Sequence, residues 1–191
     1  RQESKRHQKL IHNVCKKKKL GEYESWSEEK KISFLSKQFL SKKSLMSRKI
    51  RLDKEDQEVW STFKMIAKMP TECLGAYIVS MASNVSDVLV VMLFQKEAGM
   101  KSYLRVVPLF ETLFDLQNAH KIVKNLYSIY WYLKQIKHNQ EIMIGYSDSS
   151  KDAGKFSASW HQYKLQDEIL SLAKKYKINI TFFHGRGGSA G

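Results

Sequence analysis

Only two cysteines occur among the 191 residues, Cys15 and Cys73, far apart and without metal-ligand spacing. That excludes a disulfide scaffold and a zinc module, and it fits a chain whose thiols stay reduced. No apolar run approaches the roughly 20 residues that cross a bilayer. The opening RQESKRHQKL lacks the apolar stretch and small-residue cleavage site of a secretory signal. No internal repeat is present, and no low-complexity segment beyond Lys16–Lys19. The expectation is a cytoplasmic protein with no membrane partner. Acidic residues are scarce as well: 19 Asp+Glu face 33 Lys+Arg, for a net charge of +14. The imbalance is uneven, with 19 basic against 9 acidic residues in 1–70 and 14 against 10 in 71–191. A nucleic-acid surface is one use of such charge. However, Phe34, Phe39 and Trp60 sit at apolar positions and do not interleave with lysines as stacking platforms. The sequence therefore predicts no nucleic-acid partner, leaving solvated helix faces or a small anionic substrate.

What is present is 42% hydrophobic residues and 12% aromatics, enough for a real core. The chain reads as a basic helical segment, 8–70, followed by an alternating strand and helix segment, 71–191. Residues 3–18 are charge-rich and free of Pro and Gly, so a helix is predicted there. Ser25 and Glu28 have capping-box spacing ahead of Ile32, Phe34 and Leu35. A third helix is predicted from Asp53 to before Pro70. The rhythm then changes. AYIVSMA (76–82), YLRVVPLFE (103–111), EIMIGYSD (141–148) and NITFFHG (179–185) read as buried strands. Helices are predicted between them over 86–99, 112–138 and 155–177. The last is amphipathic, with Trp160, Tyr163, Leu165, Ile169, Leu170 and Ala173 as its apolar residues. Nearly all-apolar strands alternating with helices predict a parallel sheet covered by helices, an α/β fold.

Polar residues gather at the carboxyl ends of these strands: Ser80, Glu111, Asp148, and His184 with Arg186. In a barrel or an open sheet those ends form the functional face. A carboxylate at the end of an apolar strand costs several kcal/mol to bury unless it is paired or bound to metal. Glu111 and Asp148 could thus share a Mg²⁺ or Mn²⁺ ion. Each could instead pair with a nearby cation or cap the next helix. HGRGG (184–188) offers backbone N–H groups and the planar fork of Arg186 to an anion, or it is an ordinary glycine-rich loop. It is neither a Walker motif nor GxGxxG. Lys151 could neutralise an anion or pair with Asp152. His7, His12, His120, His138 and His161 read as surface or packing residues, and the serines of 147–150 as turn formers.

Several stretches, in order along nearly the whole chain, resemble the phosphoenolpyruvate carboxylase family. They are RQESKRH (1–7), LGEYESWSEEKK (20–31), AYIVSMA with SDVL (76–89), LRVVPLFETLFDL (104–116), EIMIGYSDSSKDAG (141–154) and FFHGRGGSAG (182–191). The resemblance implies that residues 1–191 form one piece of a helix-elaborated TIM-type (β/α)8 barrel, with a helix-rich first third. It implies a cytosolic, allosterically controlled homotetramer. The implied reaction joins bicarbonate to phosphoenolpyruvate and yields oxaloacetate and phosphate, with Mg²⁺ or Mn²⁺ as cofactor. Bicarbonate attacks the phosphoryl group, and the pyruvate enolate then captures the carbon dioxide released beside it. Carried over motif by motif, Glu111 and Asp148 would bind the metal. Arg186 would bind the substrate phosphate with His184 close by, Lys151 would place bicarbonate, and Arg1 would contact substrate.

The family is several times longer, so the chain is expected to be an internal stretch. The family's glycine-rich loop continues beyond Gly191, and its catalytic TAHPT-type histidine precedes this stretch. A later glycine-rich loop and the carboxyl-terminal regulatory residues also lie outside it. Ser150 and Ala190 depart mildly from the family pattern. The 191 residues alone are therefore expected to be inactive, and open sheet edges are expected to weaken them in isolation. The alternative is a truncated or inactive relative acting as an interaction module.

Overall fold

The computed structural model describes residues 2–46, 50–145 and 147–185, and for residues 2, 71 and 147–155 the backbone alone. In chain order the elements are β1 (Gln2–Glu3), α1 (Ser4–Lys17), α2 (Glu28–Leu40), α3 (Lys54–Ile66), β2 (Ala76–Ser80) and α4 (Val85–Glu97). They continue with β3 (Arg105–Phe110), α5 (Leu113–Tyr127), α6 (Tyr130–Gln135), β4 (Asn139–Gly145), α7 (Ser147–Tyr176) and β5 (Asn179–Gly185). Short 3₁₀ turns cover Tyr23–Ser25 and Thr71–Cys73. The chain divides into a helical unit, Gln2–Tyr77 with Ser86–Val106, and a sheet unit, Ile78–Val85 with Val107 onward.

In the helical unit, α1 packs against α3. Asn13 donates to the buried Asp56 at 2.8 Å, Arg6 pairs with Glu58 at 3.0 Å, and Lys9 pairs with Glu55. The centre is aromatic. Phe63 stacks on Tyr77 with ring centroids 5.1 Å apart and meets Phe94 edge-on at 5.3 Å. His7 lies in this cluster, bonded to the Tyr77 hydroxyl at 2.8 Å. Burial, reinforced by the charge of Arg6, lowers its pKa to about 3, so the ring is neutral at ordinary pH. Of the two roles the sequence leaves open for His7, surface or packing, the structure shows packing.

The cap of α2 differs from the sequence prediction. Ser27, not Ser25, is its N-cap and accepts from the Lys30 N–H at 3.4 Å. Ser25 lies in the preceding 3₁₀ turn and donates to the Glu22 carbonyl at 2.8 Å. Glu28 instead reaches α4, accepting from the Ser86 N–H at 2.7 Å and the Ser86 hydroxyl at 3.0 Å. Helix α4 is buried on every side from Val85 to Gln95, as expected of a helix that is apolar all round. The Gln95 side chain behaves like a piece of backbone: it accepts from the Leu104 N–H at 2.6 Å and donates to the Leu104 carbonyl at 3.3 Å. Among the described residues no helix is long and apolar enough to cross a membrane.

The sheet unit carries a parallel four-strand sheet alternating with helices, in the order β2-β3-β4-β5. Leu109 pairs with Met143 and Phe110 with Ile144. The β3–β4 ladder thus begins just past Pro108, which has no N–H to donate. β4 and β5 are parallel in full register, from Asn139 opposite Asn179 to Gly145 opposite Gly185. Helix α5 buries Leu116, Ala119, Ile122, Val123 and Leu126, the spacing of one helical face. It packs on α7, where the Tyr127 and Tyr176 rings lie 5.7 Å apart.

Helix α7 departs from the prediction twice. It begins at Ser147, eight residues before the predicted 155, so the stretch after β4 is helix rather than turn. Over 156–176 its buried residues are Ala158, Gln162, Leu165, Ile169, Leu172 and Ala173. Trp160, Tyr163 and Leu170, predicted on the apolar face, are exposed. At 100° per residue Trp160 and Tyr163 project away from Leu165 and Ile169, and Leu170 stands about 100° round the helix from Ile169.

Candidate active site at the carboxyl edge of the sheet

Of the strand-end residues of the sequence analysis, Ser80, Glu111, Asp148 and His184 fall in the sheet unit. Ser80 ends β2 and is buried. Met81 follows it at φ 55°, a left-handed conformation uncommon for a side chain of its size. Glu111 comes directly after β3 and is only 6% exposed. It could have been the cap of the next helix, but Thr112 takes that place. The Thr112 hydroxyl accepts from the Asp115 N–H at 3.1 Å, and the Asp115 carboxylate accepts from the Thr112 N–H at 3.2 Å. The other Asp115 oxygen accepts from the Ser83 hydroxyl at 3.0 Å, tying the loop after β2 to the first turn of α5. The capping alternative for Glu111 therefore falls.

Register fixes what lies beside Glu111. Phe110 is level with Ile144, so Glu111 is level with Gly145, and Gly145 is level with Gly185. Contact between β3 and β4 is unusually close at this level. A Cβ at position 145 would lie 2.5 Å from the Glu111 Cβ and 2.9 Å from its Cα. The Gly145 carbonyl is held from the other side by the buried Gln162 of α7, whose amide donates to it at 3.0 Å.

The same register separates His184 from Glu111. His184 is opposite Ile144 and shares its face of the sheet, whereas Glu111 shares the face of Leu109 and Met143. His184 is exposed. Asp148 and Lys151 lie in the first two turns of α7. Positions 148, 151 and 152 fall on one face of that helix. Asp148 follows Gly145 by three residues, which keeps its Cα within about 11 Å of the Gly145 Cα. Arg1 and Arg186 lie outside the described residues. Among the described residues no three His, Cys, Asp or Glu side chains converge to hold a metal ion.

Two features of the site went unread in the sequence. The T-x-x-D spacing of Thr112 and Asp115 is itself a capping-box signal. Gly145 carries no comparable signal, because its need for a bare Cα arises from the neighbouring strand.

A parallel α/β sheet with a buried carboxylate at its carboxyl edge defines a broad class of enzyme-like scaffolds. The sequence model of the phosphoenolpyruvate carboxylase family matches residues 1–191. The chain is 47% identical over 191 residues to phosphoenolpyruvate carboxylase 1 of Sorghum bicolor, covering 100% of this chain and 20% of that one. It is 46% identical to the phosphoenolpyruvate carboxylase of Medicago sativa and 47% identical to that of Pisum sativum, each over 100% of this chain and 20% of the relative. The chain belongs to the phosphoenolpyruvate carboxylase family, and it spans about a fifth of the length of these curated relatives.

Proposed function

We propose that these residues form one stretch of a phosphoenolpyruvate carboxylase, a carbon–carbon lyase that makes oxaloacetate and phosphate from phosphoenolpyruvate and bicarbonate. The observation that carries the reading is the family match along all 191 residues. The buried carboxylate of Glu111 at the strand end supports it. In this reading the sheet is part of a (β/α)8 barrel. Residues 8–70 are a basic helical segment beside it, and 71–191 are the segment carrying the site. The whole enzyme is a cytoplasmic homotetramer.

The residues present suit a hard divalent cation. Glu111 supplies an anionic oxygen in a buried setting, and the bare Cα of Gly145 lets the chain at Glu111 approach closely. Glu111 and Asp148 would hold Mg²⁺ or Mn²⁺, with water and substrate oxygens completing the shell. The ion would neutralise negative charge that develops on substrate oxygens. Arg186 would clamp the substrate phosphate through its planar fork, with His184 two residues earlier in the chain. Lys151 would fix bicarbonate by its charge, and Arg1 would contact substrate. The apolar strands around the site would keep water from the enolate carbon.

The test is Asp148→Asn in the full-length carboxylase that contains these residues. Carboxylation is expected to be abolished and Mn²⁺ binding weakened. Normal turnover would sink the ligand assignment. The 191 residues by themselves are expected to form no oxaloacetate in a coupled assay.

A further inference from the structure

We infer that Gly145 is a positioning residue for Glu111, an inference that rests on reading Glu111 as a metal ligand. The two glycines that end β4 and β5 stand level across the sheet, yet they face different neighbours. A Cβ on Gly185 would come within 2.7 Å of the Met143 Cε, the far end of a flexible side chain, and 3.4 Å of the Ile144 carbonyl oxygen. Met143 can swing aside. A Cβ on Gly145 would instead meet the Glu111 Cβ at 2.5 Å and its Cα at 2.9 Å. Those atoms have no torsion that removes them.

Nor can Gly145 retreat easily, because Gln162 holds its carbonyl at 3.0 Å and β5 runs in register along its other side. The capping box of Thr112 and Asp115, anchored to Ser83, fixes the chain just beyond Glu111. The carboxylate is thus set between a fixed helix start and a strand that must carry no side chain. Any side chain at 145 moves the Glu111 backbone, and with it the carboxylate oxygens. The φ of Gly145 lies outside the left-handed region, so space rather than backbone conformation is what demands glycine here.

The experiment measures Mn²⁺ affinity and thermal stability in the full-length carboxylase for Gly145→Ala, Gly185→Ala, Glu111→Gln and the double variant Gly145→Ala/Glu111→Gln. Gly145→Ala is expected to weaken Mn²⁺ binding by about tenfold or more, the scale of a displaced ligand support. Gly185→Ala is expected to stay within about twofold of the parent. On the Glu111→Gln background, Gly145→Ala should add less than about twofold, because its effect passes through a ligand already lost. Unchanged affinity in Gly145→Ala, or a full additional loss in the double variant, overturns the inference. Should Glu111→Gln itself retain Mn²⁺, the ligand reading fails instead. The crystal structure of Gly145→Ala then decides the positioning: a displaced Glu111 backbone supports it and an unmoved one overturns it. Should Gly145→Ala not fold, the swap Gly145→Ala/Glu111→Gly removes the closest contact and is expected to recover the fold. Failure to recover also overturns the inference.

Discussion

Glu28 in the helical unit and Glu111 in the sheet unit are both acids next to a helix start, and they are used differently. Glu28 spends its two oxygens on the Ser86 N–H and hydroxyl at the head of α4. Asp56, Asp87 and Gln95 in the same unit likewise accept from Asn13, Gln8 and the Leu104 N–H. In the sheet unit Thr112 and Asp115 do the equivalent work for α5. Glu111, although buried, is not used as that cap. Glu28 thus serves a helix start at long sequence range, and Glu111 leaves its own helix start to Thr112 and Asp115. A buried acid beside a helix start is therefore not always that helix's cap.

The sharpest way to break this comparison is to neutralise both acids. In the full-length carboxylase, Glu111→Gln is expected to lower kcat/KM by about a thousandfold with little change in Tm, the scale of losing one electrostatic contact in a dry site. Glu28→Gln should do the reverse, lowering Tm and sparing turnover. Steady-state assays and thermal melts on the pair decide it; equal activity loss in both would erase the distinction.

Next in size is the aromatic centre of the helical unit. Phe63→Ala removes the stacking partner of Tyr77 and the edge contact to Phe94. It is expected to cost about 3–5 kcal/mol in denaturant unfolding. A loss below about 1 kcal/mol would show that this centre collapses around the gap.

His7 gives the helical unit a pH signature. Its folded pKa is lowered to about 3 from 6.5, so the unfolded chain binds a proton that the folded chain refuses between those values. Stability therefore falls as pH drops below 6.5, by about 1.4 kcal/mol per unit. Between pH 8 and pH 5 the His7 contribution is a loss of about 2 kcal/mol. In His7→Leu that part of the slope should vanish; an identical slope in both proteins would refute the buried neutral ring.

The smallest effect probes the sheet unit's own cap. Thr112→Ala is expected to cost about 1 kcal/mol of stability. If Glu111 took over the cap in that variant, the loss would be nearly nil and the division of labour would be weaker than drawn.

Much of this was legible in the sequence because strands of a parallel sheet are apolar throughout. β5 matches its predicted span of 179–185, and β2, β3 and β4 lie within two to three residues of theirs. The start of α7 was hidden because Ser, Asp and Gly at 147–154 are weak helix formers that resemble a turn. Ser25 mimics the cap of α2 in sequence because Glu28 follows at the right spacing, while that glutamate is drawn to Ser86 by tertiary contact. Trp160 and Tyr163 suggest the buried face by hydrophobicity alone, whereas the helical angle places them outside. The close approach of Gly145 to Glu111 depends on the register of strands 34 residues apart, which no local pattern encodes.

Helix α4 makes the molecule its own stability gauge. From Val88 to Phe94 every residue is within 4% of full burial. Amides in such a segment exchange with solvent deuterium through the largest opening available, commonly global unfolding. Their exchange rates in plain buffer then report the unfolding free energy directly, without denaturant and without extrapolation.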